Sequence, residues 1–422
     1  MAGIIALSFN LRAAITSLPP VFPEMSRVLR LPSGELAVLA AVPVLCFGLF
    51  SGVAAPLSRR FGEERVLGAA LAALAAGLLL RSAAPAVLLF PGTVIAACSI
   101  ALGNVLLPSL IKRRRPEQAG LLIGLYLAAL AAGAIAGSVA SVPVFNAAGG
   151  ANGALRLTLG LWALPALVAA VAWLPQLRFR SLPSPQPPQP PEPAVLVAPD
   201  VPDVPGVAAV PAVPAGARRG GVLGMARHAL AWQVTVFLGL QSLSYYAALS
   251  WFPTLFRDRG ASAVHAGDLL ALMNLGNAVT ALLLPVLAHR AKDQRMLVAV
   301  ATGATTVGLA GAQFAPLGSA AGWMLLLGLG QGGTLGLGIF LTMARAPDPV
   351  TAASLSGFAQ GAGYLLASAG PLLLGVLHAA TGGWAVPVWA LLVAAAVQLA
   401  VGWLAGRALT VPAAPFPARA PV

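Results

Sequence analysis

Twelve long apolar runs decide what this chain can become. They lie near residues 2–23, 35–57, 66–84, 86–111, 119–145 and 155–174, and again near 229–255, 266–288, 296–316, 320–343, 351–377 and 385–406. About 20 helical residues cross a hydrocarbon layer ~30 Å thick, so each run predicts one transmembrane helix. Only 9% of the 422 residues are charged while 59% are hydrophobic, a composition for lipid rather than for a soluble core. The expectation is an all-α membrane protein of twelve transmembrane helices in a lipid bilayer.

A net charge of +13 would suggest a nucleic-acid partner in a soluble protein, so the placement of the cations has to decide. Assigning alternate loops to opposite faces puts eighteen Lys and Arg on one face, from Arg59 to Arg419. The other face receives six: Arg27, Arg30, Arg81, Arg156, Arg257 and Arg259. The basicity is therefore topological, no nucleic acid is expected, and both termini are predicted to lie on the cytoplasmic side of a cell membrane. The first run starts at Met1 and contains Asn10 and Arg12, so it lacks the basic start and uninterrupted apolar stretch of a cleaved signal. It reads as a retained first helix whose natural start lies at or upstream of Met1.

The long polar interruption near 178–228 is a low-complexity stretch of Pro, Val and Ala that favours extended backbone and cannot build a core. It divides the chain into an N-terminal six-helix half (1–177), a cytoplasmic linker (178–228), a C-terminal six-helix half (229–406) and a tail (407–422). The halves match each other at a constant offset of 230: PLSRRFGEERVL from Pro56 lines up with VLAHRAKDQRML from Val286, and Phe22-Pro23 with Phe252-Pro253. Such a parallel repeat places a solute site near midplane between the halves.

One guanidinium, Arg12, falls near the middle of a run, roughly 16 to 18 Å from either end at about 1.5 Å per residue. A charge at that depth costs on the order of 2.5 kcal/mol or more, and marks a functional position by default. With all twelve acidic residues outside the runs or at their ends, none is an obvious counter-ion, and its missing partner is a candidate substrate. The alternative is structural: Arg12 caps carbonyls or bonds neighbouring amides. Ser8, Arg12 and Thr16 share one helix face and Asn10 and Ser17 a second. Isolated amides sit near the middle of the fourth, seventh and tenth runs: Asn104, Gln241 and Gln331. Converging on Arg12, they would bind a small polar or anionic solute; singly, each could be interhelical glue. Tyr245, one turn beyond Gln241, the pair Gln360 and Tyr364, and the pair Asn274 and Asn277 have the spacing to line a cavity. Tyr126, Tyr246 and Trp251 read as aromatic packing. Glycines crowd the tenth run from Gly328 to Gly338, where small side chains let helices approach.

Neither lysine, Lys112 or Lys292, stands in a phosphate-loop context, and all four histidines lie at run ends or in loops. Cys46 and Cys98 carry no metal spacing. Hydrolysis has no residues to use, so no enzyme activity, cofactor or metal is expected.

Several blocks carry a likeness. NLRAAITS from Asn10, GNVLLPSLIKRRRPEQAGLLIGLY from Gly103, AWQVTVFLGLQSLSYYAALSWFPT from Ala231, GLGQGGTLGLG and LSGFAQGAGYLLASAGPLLLG resemble the cyanate permease and 2-nitroimidazole transporter branch of the major facilitator superfamily. The resemblance covers essentially all twelve runs. It implies a twelve-helix bundle working by rocking alternating access on a small anion or small polar organic solute. The superfamily's loop motif G-x-L-x-D-R-x-G-R-R is only partly present. Arg59 stands where its Asp would be, Arg60 and Gly62 match, and Glu63 or Glu64 would have to replace the acid. Arg290 and Asp293 occupy the corresponding C-terminal loop. A buried titrating carboxylate is not expected, so a co-transported proton would ride on the substrate or on water. The rival readings are an efflux carrier of the same fold and a membrane subunit of a larger assembly.

Overall fold

A computed structural model describes residues 2–83, 86–114, 116–178 and 219–412. Among them the chain is helical: α1 (Ala2–Thr16), α2 (Phe22–Leu29), α3 (Ser33–Phe61), α4 (Glu63–Ser82), α5 (Leu89–Arg114), α6 (Ala119–Ala147), α7 (Asn152–Leu161) and α8 (Ala163–Trp173) form the N-terminal half. After α9 (Arg219–Gly224), the second half comprises α10 (Ala229–Asp258), α11 (Ala263–Arg290), α12 (Arg295–Phe314), α13 (Ala320–Ala344), α14 (Pro349–Thr381) and α15 (Ala385–Ala405). Residues 179–218, most of the expected linker, and 413–422 of the expected tail lie outside the described residues. The last part of the expected linker is helical, and its Met225 is buried against Leu355 and Phe358.

The repeat reappears in the packing. Helix α4 lies on α5 as α12 lies on α13, and α1 lies on α6 as α10 lies on α14; the halves meet along α3 with α14 and α6 with α11. Close approach depends on glycine where helices touch backbone to backbone. A Cβ at Gly133 of α6 would stand 2.1 Å from the carbonyl oxygen of Phe9 in α1, far inside van der Waals contact, so only glycine lets these two helices meet there.

Two runs expected as single helices are broken. The first divides at Ser17–Leu18, because Pro19 and Pro20 bring no N–H to continue the ladder. Leu18 N–H turns back to Ile15, leaving the Ala14 carbonyl to the Ser17 hydroxyl (3.2 Å) and to the Arg81 guanidinium from α4 (2.8 Å). Arg81 is thus buried as a cap for a broken helix. The sixth run divides at Trp162, between α7 and α8.

Eleven of the described helical segments are both long and apolar enough to cross a membrane. The remaining span, α10, has 30 residues but is diluted by Gln241, Ser242, Ser244, Tyr245, Tyr246 and Ser250. It is buried on nearly every side from Val234 to Phe256, so protein rather than lipid solvates its polar groups. Cys46 and Cys98 face each other across α3 and α5 with sulfurs 3.7 Å apart.

Candidate substrate site

Arg12 sits on α1 in the middle of the bundle, where it keeps partial solvent access. Its guanidinium donates to the Tyr245 hydroxyl at 3.2 Å and stands 5.6 Å from the centroid of that ring. No carboxylate lies within ion-pair distance of it among the described residues. Tyr126, Tyr246 and Tyr364 are also within electrostatic range, so all four tyrosines of the chain gather around this one cation. Tyrosine suits such a place: the ring packs against apolar neighbours, and its face and hydroxyl oxygen both attract positive charge.

From Arg12 a chain of hydrogen bonds crosses between the halves. Tyr245 donates to Asn274 Oδ1 of α11 at 2.8 Å, and the Asn274 amide donates to the Ser138 hydroxyl of α6 at 3.3 Å and to the Leu270 carbonyl at 3.1 Å. Tyr126 donates to Asn104 Oδ1 at 3.4 Å, which brings the amide of α5 to the same cluster. Tyr364 packs edge-on to Phe47, and Gln360, one turn away, donates to the Ser356 hydroxyl at 2.9 Å. Gln360 and Tyr364 both keep partial solvent access.

Other expected residues are turned elsewhere. The Asn10 amide returns to the Ala6 carbonyl at 2.7 Å and the Thr16 hydroxyl to the Arg12 carbonyl at 3.1 Å, the usual refuge of short polar side chains in an apolar helix. Thr16 also faces α6, since a Cβ at Gly137 would lie 2.3 Å from its hydroxyl. Gln241 and Gln331 bind across α10 and α13 rather than to Arg12. The Gln241 amide donates to the Gln331 carbonyl at 3.2 Å and the Gln331 amide to the Ser244 hydroxyl at 3.4 Å. The Gln331 side-chain oxygen is buried without a partner among the described residues.

Tyr126 and Tyr246, expected as aromatic packing, are brought within electrostatic range of Arg12, a proximity that sequence reasoning did not foresee. The available signal was chemical: a buried tyrosine in an apolar helix needs a partner for its hydroxyl, where phenylalanine would not.

Beyond Arg12, toward α2, lies a small apolar cavity lined by Ile15, Leu18, Phe22, Val44, Tyr246 and Leu249. That end is sealed across the halves. Phe22 meets Trp251 edge-on at 6.0 Å, and buried Glu24 pairs with Arg257 at 2.5 Å. At the opposite, basic end, Glu63 pairs with Arg113 at 3.0 Å and buried Glu64 with Arg114 at 2.8 Å, joining α4 to α5. Of the expected loop residues, Arg59, Arg60, Arg290 and Asp293 are exposed. Gly62 adopts φ 86°, a turn between α3 and α4 that favours glycine. Asp293 Oδ1 accepts the Arg295 N–H at 3.1 Å.

Comparison with known proteins agrees with this architecture. The chain is 37% identical over 407 residues, 96% of its length and 95% of the relative's, to the 2-nitroimidazole transporter of Escherichia coli (strain K12). It is 29% identical to the cyanate transport protein CynX of the same organism, over 90% of each chain. Among solved structures, the nucleoside transporter NupG superimposes with a TM-score of 0.72 at 12% identity, covering 95% of this chain and 98% of that one. A bacterial homologue of the human lysosomal transporter Spinster, inward-facing and unoccupied, gives 0.73, at 16% identity and over 96% and 95% of the two chains. Residues 4–371 match the Major Facilitator Superfamily. The chain belongs to that superfamily: it is a multi-pass membrane transporter of small solutes, not an enzyme.

Proposed function

We propose that the chain carries a small anion or small polar organic solute by alternating access, with Arg12 as the solute's counter-charge. The observation that carries this reading is a guanidinium near the middle of the first apolar run with tyrosines around it and no carboxylate in ion-pair distance among the described residues. Leaving a cation so unpaired is costly unless another anion arrives. Tyr245, Tyr364, Asn104 and Gln360 contact the solute, Asn274 orients Tyr245, and Gln241 with Gln331 braces α10 on α13. Asn10 and Thr16 set the packing of α1.

In this reading the basic end is cytoplasmic and the protein resides in the plasma membrane, with both termini inside. The Glu24–Arg257 end is then the outer seal, and the solute reaches Arg12 from the cytoplasm in this conformation. The two six-helix halves rock about the site. Glu63 and Glu64 take over from the acid missing at Arg59, and Gly62, Arg60, Arg290 and Asp293 form the paired cytoplasmic turns. Any coupled proton travels on the solute or on water.

The test is thermal stabilisation of the purified protein by cyanate, nitrate, formate and short carboxylates, and by neutral nitro-heterocycles, beside Arg12→Ala. Binding to the native state raises the midpoint by mass action. Stabilisation by an anion that vanishes in the variant supports the reading. Stabilisation by neutral heterocycles alone, unchanged in the variant, sinks it in favour of efflux of uncharged compounds. That second reading draws on the apolar cavity beside Tyr246 and on the name of the 37% identical relative.

A further inference from the structure

We propose that the basic-end termini of α12 and α15 hold the headgroup of an anionic phospholipid, at a site separate from Arg12. The Arg295 guanidinium stands 5.6 Å from the centroid of the Trp403 ring, and its buried Nε has no hydrogen-bond partner among the described residues. Arg407 lies four residues beyond Trp403, just past the end of α15. Its Nε donates to the Leu404 carbonyl at 2.8 Å and one terminal nitrogen reaches Gln233 at 3.4 Å. The helix ends are joined by the Gln294 N–H on the Gly406 carbonyl at 3.1 Å, so the two arginines flank one junction. Exposed Arg290 and Lys292 stand in the adjoining turn.

Among the described residues, the one carboxylate in ion-pair distance of these four cations is Asp293, 3.9 Å from Arg295 Nε and already accepting the Arg295 N–H. The patch therefore keeps an excess of positive charge at the end of a membrane-spanning pair. Exposed apolar side chains lead away from it into the span: Met296 and Val300 along α12, Leu399, Trp403 and Leu404 along α15. A free anion would need only the arginines. A phospholipid uses both features, with its phosphate between Arg295 and Arg407, its glycerol level with the Trp403 ring and an acyl chain along Met296 and Val300.

The test uses the full chain in phosphatidylcholine nanodiscs, titrated with phosphatidylglycerol and, in a separate arm, with inorganic phosphate. Affinity for phosphatidylglycerol should weaken about fivefold for each of Arg295→Gln and Arg407→Gln, the equivalent of ~1 kcal/mol per cation near the surface. The double variant Arg65→Gln, Arg227→Gln, which removes exposed cations at the same end, should bind like the wild type. Equal loss in that control would mean diffuse surface attraction, and protection by phosphate as strong as by lipid would mean a plain anion site; either overturns the proposal. Should the arginine variants fail to fold, judged by their midpoint in phosphatidylcholine alone, the unmodified protein decides. A photoreactive phosphatidylglycerol should label peptides spanning 295–300 and 399–407, and labelling confined to other segments refutes the site.

Discussion

The two halves share a fold and a register but differ in how they handle charge. At the start of α4, Glu64 pairs with Arg114; at the start of α12, 230 positions later, Gln294 receives Arg345 instead. With no carboxylate in ion-pair distance among the described residues, Arg345 turns to the Ala405 and Gly406 carbonyls at 2.9 and 3.1 Å, the negative end of α15. One half is braced by ion pairs, the other by an amide and a helix terminus. The same division runs through the site: Arg12 comes from the N-terminal half, and the residue in its register on α10 is Ser242. A repeat therefore fixes backbone geometry while leaving the electrostatics of each copy free to diverge.

The comparison can be broken most severely at Arg12. Arg12→Ala should lower transport by more than a hundredfold with folded protein still in the membrane, and Ser242→Arg in that background should not restore it. Rescue would mean that the halves are interchangeable at the site; both outcomes are read from solute flux into proteoliposomes. Next in size is Glu64→Ala, which leaves Arg114 without its buried carboxylate and should cost about 3 kcal/mol of stability. Gln294→Glu, the reverse exchange, should change the thermal midpoint much less. Comparable losses from both would erase the distinction between the two braces. Tyr245→Phe removes the hydroxyl that links Arg12 to Asn274 and leaves both groups short of a partner, for a cost of about 1–2 kcal/mol. Transport should fall about tenfold, and full activity in the variant would demote the hydroxyl to packing.

The smallest effect belongs to Asp348, which caps α14 by accepting from the N–H groups of Val350 and Thr351 at 2.9 and 2.8 Å. The Thr351 hydroxyl, which donates to the other carboxylate oxygen, and then those two bonds hold its carboxyl below the usual aspartate range. A depressed carboxyl stabilises the fold above its unfolded pKa, and that contribution disappears as pH falls through the folded value. Asp348→Ala should cost about 1 kcal/mol near neutral pH. Thermal midpoints of wild type and variant should converge in acid; a gap independent of pH would remove the titration from the explanation.

The spans and the repeat were legible because lipid imposes length and apolarity on every helix, and because register survives between copies, as at Phe22-Pro23 and Phe252-Pro253. The division of the first run was less so. Pro19 and Pro20 signal a break, but the Arg81 side chain that donates to the stranded carbonyl lies 67 residues from Ala14. Directions were the hardest to read. On α6, apolar nearly all round, and on α10, buried on nearly every side, no solvent-facing side tells which way Tyr126, Tyr246 or Gln241 points, and that choice is made by neighbours distant in sequence. Arg12 was legible because a charge at that depth has so few tolerable surroundings.

The wrapping of α10 in protein has a consequence for how the molecule is made. This segment leaves the ribosome before α11 to α15, the helices that later cover its polar groups, and its own apolarity falls short of what the other spans offer the insertion machinery. Its entry into the bilayer must lean on partners still to be synthesised. A chain stopped after Asp258 should leave α10 poorly inserted, whereas one extended through α15 should seat it, a difference that glycosylation reporters beyond each endpoint would score. The polarity that suits α10 to its place beside Arg12 makes it the span that cannot settle alone.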